Sequence, residues 1–543
     1  MKRFLIGLTI ILLAFFFRFN NLNWDANFHL HPDERFLTMV GNAMKLPTSI
    51  NQYFDQKTSL LNPANIGYNF FVYGRFPLIF TKFLAVKLNL DNYNDLTILG
   101  RQLSAFFDLL IIFFIIKTVG LLEKKLKLKP SIKYWAGFFY AISVLPIQLS
   151  HFFAVDTFLN FFMFGSFYFA LKFCYEKKIK YLSFSTIFFG LAMASKVTAV
   201  FILPLNLFFI GFTYLKRPSR IGKLLLILFI YLGISYFTLR LADPYLFQST
   251  NFLNPTLNTQ FMENLKQLKS FEGKDIWYPP AVQWIKKPAI IFSLINLTVF
   301  GVGIPYFVLV IIGIFNILIS KKYELLIILF WVLAFFFYQS IQFVKAMRYF
   351  IFIYPFLAIF AGIGISKLFK TKNYLFYVIC FVIFLIWPLM FSSIYFHKNT
   401  RVEASEWIYK NLPGGAYILS ESWDDSLPLG VLNNYGKQFT SDQLPVFDPD
   451  TPEKWQKMND LLMRADYYVL SSNRGWGSIM TVSEKYPQMS QFYRDLLADK
   501  LSYKKIKEFE PYYYKFFQLP NSWIDESFTV YDHPEVIIFK KQK

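Results

Sequence analysis

The chain has 543 residues, of which 55% are hydrophobic, 21% aromatic and only 17% charged, against roughly 25% charged in an average soluble domain. Disorder and most soluble classes are excluded. The formal charge of +21 does not point to nucleic acid: residues 397–543 carry 18 basic and 20 acidic side chains, so the excess sits in the hydrophobic part. There it falls in short loops, as expected of cytoplasmic connections facing anionic lipid.

The chain begins with Lys2 and Arg3 and then runs apolar from Phe4 to Phe17. Only Arg18, Phe19 and Asn20 follow, with no small-residue cleavage site, so this stretch reads as an uncleaved first span. Apolar runs of the ~20 residues needed to cross a hydrocarbon core recur to give about eleven spans. They lie near 4–19, 98–120, 134–150, 153–174, 181–196, 198–215, 222–240, 297–319, 323–341, 349–367 and 374–396. With a cytoplasmic N-terminus the even-numbered connections should be the basic ones. They hold Lys124, Lys125, Lys127, Lys129 and Lys133; Lys177, Lys178 and Lys180; Lys216, Arg217, Arg220 and Lys223; Lys321 and Lys322; and Lys367, Lys370 and Lys372. The acidic residues have the opposite bias, which concentrates polar chemistry on the outer side.

Two outer loops are too long to be connectors, and long loops are usually functional. The first runs from about 20 to 97 and includes 76–90, an apolar stretch with Lys82 and Lys87 that reads as an interfacial helix. The second, about 242–296, holds Trp277, Tyr278, Pro279, Pro280 and Trp284, a mix suited to the headgroup layer. Residues 1–396 therefore read as the membrane domain and 397–543 as a small α/β domain outside the membrane. In that domain Arg401–Asn411 is expected to be a helix, Ala416–Leu419 and Tyr467–Leu470 strands, and Thr529–Tyr531 with Val536–Phe539 a terminal hairpin. Cys174 and Cys380 are too few for a disulfide framework.

The strongest local signal is His31-Pro32-Asp33-Glu34-Arg35. Two carboxylates beside a histidine and an arginine at a membrane surface can supply a general base with an orienting or metal-holding partner. The same residues also suit a helix start, with Pro32 in the first turn and Asp33 and Glu34 complementing the dipole. Second, His151 and Asp156 lie near the outer ends of the third and fourth spans, a functional location in which Asp156 can instead cap the fourth helix. Third, Lys196, Arg348 beside Tyr349, Arg75 beside Tyr73, and Arg101 are cations at headgroup depth that can clamp a lipid phosphate or simply snorkel. Asp108, inside the second span, is expected to pair with one of these cations. The run Ser422-Trp423-Asp424-Asp425 reads as a surface turn. No nucleotide-binding fingerprint appears, so an activated donor would be lipid-borne and no nucleotide cofactor is expected.

In order, His31-Pro32-Asp33-Glu34, Gly100-Arg101-Gln102-Leu103-Ser104-Ala105, His151 to Asp156, Gly190-Leu191-Ala192 with Lys196, Arg348-Tyr349 with Tyr354-Pro355, and Ala404-Ser405-Glu406-Trp407-Ile408 resemble the GT-C superfamily of polyprenyl-phosphate-dependent glycosyltransferases. The nearest branch is that of protein O-mannosyltransferases and aminoarabinose transferases. The resemblance implies a polytopic α-helical protein that inverts a sugar during transfer from a polyprenyl-phosphate donor to a hydroxyl of a protein, lipid or glycan acceptor. Asp33 would be the base, and Glu34 would orient the acceptor or assist a metal. Lys196 and Arg348, with Tyr349, Arg75 and Arg101, would hold the donor phosphate, while His31, His151 and Asp156 would complete the site. Whether a divalent cation takes part varies within the superfamily. The expected location is the plasma membrane, with the C-terminal domain outside. The paired-tryptophan signature of oligosaccharyltransferases is not matched by Trp423-Asp424, so asparagine glycosylation is not favoured. A lipid-linked sugar transporter or flippase, or a non-catalytic scaffold, would share the span count. The first should show broken helices at the midplane and matching halves, and the second no dependence on Asp33.

Overall fold

The computed structural model describes residues 2–215, 221–368, 374–511, 520 and 523–542. Every apolar run read as a span is helical, but several are broken. Six helices are long and apolar enough to cross a membrane on their own: Tyr93–Leu126, Val155–Glu176, Ile221–Ala242, Tyr323–Ser340, Met347–Leu368 and Val378–Asn411. The pair Ile291–Val302 and Ile304–Ser320 adds a seventh if it is counted as one span; it bends by 113°. The break falls at Gly303, whose φ of +87° is open to glycine at no steric cost. The first helix, Lys2–Phe19, carries Lys2, Arg3 and Arg18. The third span divides into Ile132–Ala141 and Val144–Ser150. The chain is a multi-pass membrane protein. Of the basic loop residues, Lys216, Arg217, Arg220, Lys370 and Lys372 lie outside the described residues.

The bundle core is aromatic. Phe107 packs on Phe158, Phe161 and Phe162, and Phe114 on Phe161, Tyr168 and Phe188, with ring centroids 4.7–5.7 Å apart. Such pairs are worth about 0.5–1.5 kcal/mol each beyond the area they bury. Polar ties cross this core at one level. Asp108 pairs with Arg18 of the first helix at 2.6 Å, rather than with an outer cation, and also accepts from Tyr140 Oη at 2.5 Å. Arg18 spends its other nitrogens on the carbonyls of Tyr140 and Ala141 at the break in the third span. A buried pair in an apolar medium holds only when its remaining donors are satisfied in this way.

The outer loops are built, not loose. The first contains the helices Pro32–Ala43 and Phe76–Lys87. The latter buries Leu78, Thr81, Lys82 and Ala85, and Lys82 pairs with Asp91 at 2.5 Å, so it packs into the protein rather than floating on the interface. The second loop contains the helix Thr259–Ser270 and docks on the outer domain through Trp277 on Tyr486, 5.3 Å between centroids.

The outer domain has five strands, β1 Tyr417–Glu421, β2 Thr440–Leu444, β3 Tyr467–Leu470, β4 Tyr503–Phe509 and β5 Val536–Lys541, in the order β2-β1-β3-β5-β4. β1 is parallel to β2 and β3, whereas β5 is antiparallel to β3 and β4. The expected helix is present as Thr400–Asn411. The expected terminal hairpin is not: β5 pairs with β3 and β4, and Thr529–Tyr531 forms no strand because this stretch is drawn down into the membrane domain. Gln148 donates to Asp532 Oδ2 at 3.0 Å, Tyr395 Oη donates to the same oxygen at 3.0 Å, and Thr400 Oγ1 donates to the Pro534 carbonyl at 2.6 Å.

Candidate active site

Pro32 at the first turn fixes the start of the Pro32–Ala43 helix. His31 is its cap, with Nδ1 accepting from the Glu34 N–H at 3.2 Å. Burial, reinforced by the guanidinium groups of Arg348 and Arg101, holds the His31 imidazole well below its usual range, so it is neutral and free to accept. Its ring lies between Phe152 and Tyr531, with centroids at 4.3 and 4.6 Å.

The two carboxylates that follow have opposite surroundings. Glu34 is fully buried. Its oxygens accept from Arg101 Nε at 2.8 Å and Nη2 at 2.6 Å, and Oε1 also accepts from the Phe153 N–H at 2.6 Å. Arg101 in turn reaches Asp25 at 2.8 and 3.1 Å and the Leu22 carbonyl at 2.7 Å, and lies over the Trp24 ring at 5.0 Å. Burial works against the Asp25 anion, but the Arg101 charge and hydrogen bonds outweigh it and the carboxyl is held below its usual range. Glu34 and Arg101 thus fasten the first loop to the long Tyr93–Leu126 helix, and neither offers an atom to a ligand.

Asp33, one residue earlier, faces the other way and keeps 29% of its side chain accessible. It accepts from Tyr73 Oη at 3.2 Å and from Arg348. Arg348 Nε, sealed from solvent, has no hydrogen-bond partner among the described residues. Beside this pair Lys196 Nζ donates to Asp156 Oδ1 at 2.9 Å and stands 4.8 Å from the centre of the Tyr349 ring. Asp156 spends its charge on Lys196 rather than capping its own helix, whose N-cap is Ala154. Gly74 N donates to the Ser195 carbonyl at 3.1 Å, and a Cβ on Gly74 would lie 2.1 Å from the Ala194 carbonyl oxygen. Only glycine lets the first loop come this close, and that contact sets Tyr73 beside Lys196.

The other expected residues sit elsewhere. Arg75 is buried against Asp243 at 3.3 Å, with rings of Phe71 and Phe261 below 6 Å. His151 stacks on Tyr395 at 3.7 Å and meets the carbonyls of Ile147 and Asn20 at 2.8 and 2.9 Å, tying the end of the first helix to the third span. The Asp424-Asp425 pair is not a surface turn. Asp424 is buried on Arg401 at 3.0 Å and accepts from Ser472, while Asp425 receives Arg35 at 2.6 Å. The outer domain also contributes groups that no local pattern announces. Asp525 accepts from the Met347 N–H at 3.3 Å, Arg474 lies 3.5 Å from Glu526, and Tyr531 packs on His31.

The carboxylates at the opening, Asp33 and Asp156, are each answered by a cation of the chain. Among the described residues the one group of three that could chelate an ion, Glu508, Glu510 and Glu535, lies in the outer domain. With Asp33 paired to Arg348 and Asp156 to Lys196, the site's two carboxylates do not fit a divalent ion bridging Asp33 and a phosphate.

Residues 96–238 match the family of dolichyl-phosphate-mannose-protein mannosyltransferases. No curated protein sequence matches the chain. Among solved structures it is similar to the oligosaccharyltransferase of Archaeoglobus fulgidus tethered to an acceptor peptide, with a TM-score of 0.54 and 12% identity over 90% of this chain and 72% of that one. The same archaeal enzyme with an inhibitory peptide and dolichol-phosphate gives 0.51 and 12% over 94% and 73%, and its complex with zinc and sulfate gives 0.52 and 12% over 93% and 72%. ArnT of Cupriavidus metallidurans gives 0.46 and 12% over 99% and 97%. The chain has the GT-C fold.

Proposed function

We propose that the chain is an inverting glycosyltransferase that moves a sugar from a polyprenyl phosphate to an acceptor hydroxyl on the outer face of the membrane, with its N-terminus cytoplasmic and its C-terminal domain outside. The observation that carries this reading is the opening in which Asp33 faces Arg348 and Tyr73 beside the Lys196–Asp156 pair. A mannosyltransferase family match within the membrane bundle, and structures of a neighbour solved in complex with dolichol-phosphate and, separately, tethered to an acceptor peptide, support it. A donor phosphate entering between Arg348 and Lys196 takes over Arg348, whose buried Nε has no partner among the described residues, and releases Asp33. The acceptor oxygen then attacks the anomeric carbon from the side opposite the phosphate. Asp33 takes the acceptor proton, the bond from the anomeric carbon to the phosphate oxygen breaks, and Arg348 and Lys196 stabilise the charge that gathers on the departing phosphate. Tyr73 orients Asp33, and Tyr349 holds the Lys196 ammonium over its ring.

The test is transfer of radiolabelled sugar from a panel of polyprenyl-phosphate sugars in membranes carrying wild type or Asp33→Asn. Loss of about 10²–10⁴-fold is expected for a general base. Full transfer by the Asp33→Asn protein would remove the assignment.

A further inference from the structure

Outside the Asp33 opening runs a row of aromatic rings drawn from three separate parts of the chain. Phe70 of the first outer loop meets Phe271 of the second at 6.3 Å, Phe271 stacks on Tyr278 at 4.4 Å, and Tyr278 meets Trp423 of the outer domain at 5.9 Å. The last two rings stand at 79°, so they form a corner rather than a stack. Trp423 leaves 52% of its surface open and Phe70 38%. Trp423 also has a φ of +71°, a region that is strained for a non-glycine residue and collects at functional positions. The backbone is pinned there by Arg474 Nη1, which donates to the Trp423 carbonyl at 2.7 Å. The row is tied to the opening by an ion pair: two residues beyond Trp423 the carboxylate of Asp425 pairs at 2.6 Å with Arg35, two residues from Asp33 and itself 38% accessible.

We propose that this row is the acceptor subsite, and that the acceptor it takes is a carbohydrate chain. The inference rests on the transferase reading and names its acceptor class. The exposed rings of Trp423 and Phe70 at the two ends of the row present a weakly negative π surface suited to the C–H face of a pyranose. Phe271 and Tyr278 are stacked on each other between them, and the Arg35–Asp425 pair offers planar donors and acceptors to ring hydroxyls. A peptide acceptor is the competing class.

The test is equilibrium dialysis of radiolabelled maltohexaose, cellohexaose and chitohexaose, and of a Ser/Thr-containing hexapeptide, against the full chain in nanodiscs without donor. Saturable binding of at least one hexasaccharide is expected, weakened about three- to tenfold by Trp423→Ala or Tyr278→Ala, an effect the size of one lost aromatic contact, and largely kept by Trp423→Phe. Melting temperatures of the variants identify any that fail to fold. No hexasaccharide binding, binding indifferent to Trp423→Ala in a folded variant, or Trp423-dependent binding of the peptide alone would overturn the proposal. Because no donor is present, Trp423-dependent binding in a protein that transfers no sugar from any donor would remove the transferase reading and leave the carbohydrate subsite standing.

Discussion

Glu34→Gln separates the two adjacent carboxylates by what they do. Glu34 accepts three hydrogen bonds, two from Arg101 and one from the Phe153 N–H. A glutamine of the same shape retains one acceptor oxygen and turns an NH2 group toward an Arg101 nitrogen, so at least one charge-assisted bond is lost and two donors face each other. That loss is about 1.5–3 kcal/mol for a bond to a charged group. It stays below the ~3–5 kcal/mol of a fully broken buried pair because Asp25 still holds Arg101 at 2.8 and 3.1 Å. The expected result in thermal unfolding of the detergent-solubilised protein is a clear fall in melting temperature for Glu34→Gln and almost none for Asp33→Asn, whose side chain is part exposed. Transfer should follow the reverse order, lost with Asp33→Asn and reduced with Glu34→Gln only as far as folded protein is reduced. A Glu34→Gln protein as stable as wild type but more than a hundredfold slower would refute the separation and return Glu34 to the chemistry.

Gly74→Ala is expected to cost about 1–3 kcal/mol, the range for overpacking, and to lower transfer further by moving Tyr73 off Asp33; a melting curve with a matched assay checks both. Tyr73→Phe removes one hydroxyl donor from Asp33, worth about 1 kcal/mol, so kcat should fall several-fold with the protein as stable as before. In the outer domain burial pushes the Glu421 carboxyl up to about 7, although Tyr468 and Tyr493 donate to it at 2.5 and 2.6 Å. The folded state therefore binds a proton that the unfolded chain has released between about pH 4.5 and 7, and this contribution to stability is lost as pH rises through that window. Glu421→Gln should flatten the corresponding part of a stability profile measured from pH 4 to 8; an unchanged slope would show that Glu421 does not titrate there.

The places of the apolar helices were legible because a membrane demands long apolar runs, though among the described residues only six or seven of the eleven expected spans are long and apolar enough to cross. The helix start at His31–Pro32 was legible because its capping chemistry is local. What the sequence pattern did not disclose were pairings. Asp33 and Glu34 look equivalent in a row of letters, and only the direction each takes from the first helical turn separates a half-open carboxylate from a buried strut. Likewise Arg101, Arg75, Arg348 and Lys196 read alike as outer cations. Two are absorbed by Asp25, Glu34 and Asp243, partners from 67 to 168 positions away, and two stand at the opening. Asp424 read as a surface turn because its partner Arg401 lies in the preceding helix, out of reach of any short motif. Thr529–Tyr531 looked like half a hairpin, since nothing in its composition records that Gln148 and Tyr395 draw the following Asp532 into the bundle.

That last attachment orders the protein's biogenesis. The helices carrying Asp33, Asp156, Lys196 and Arg348 leave the ribosome first, but His31 meets Tyr531, and the Met347 N–H meets Asp525, only after nearly the whole chain has been made. A nascent chain halted before Asp525 would be fully inserted yet lack the wall behind Asp33 and Arg348. The last-made segment is thus the latch of the opening, which is finished only when synthesis of the C-terminal domain is complete.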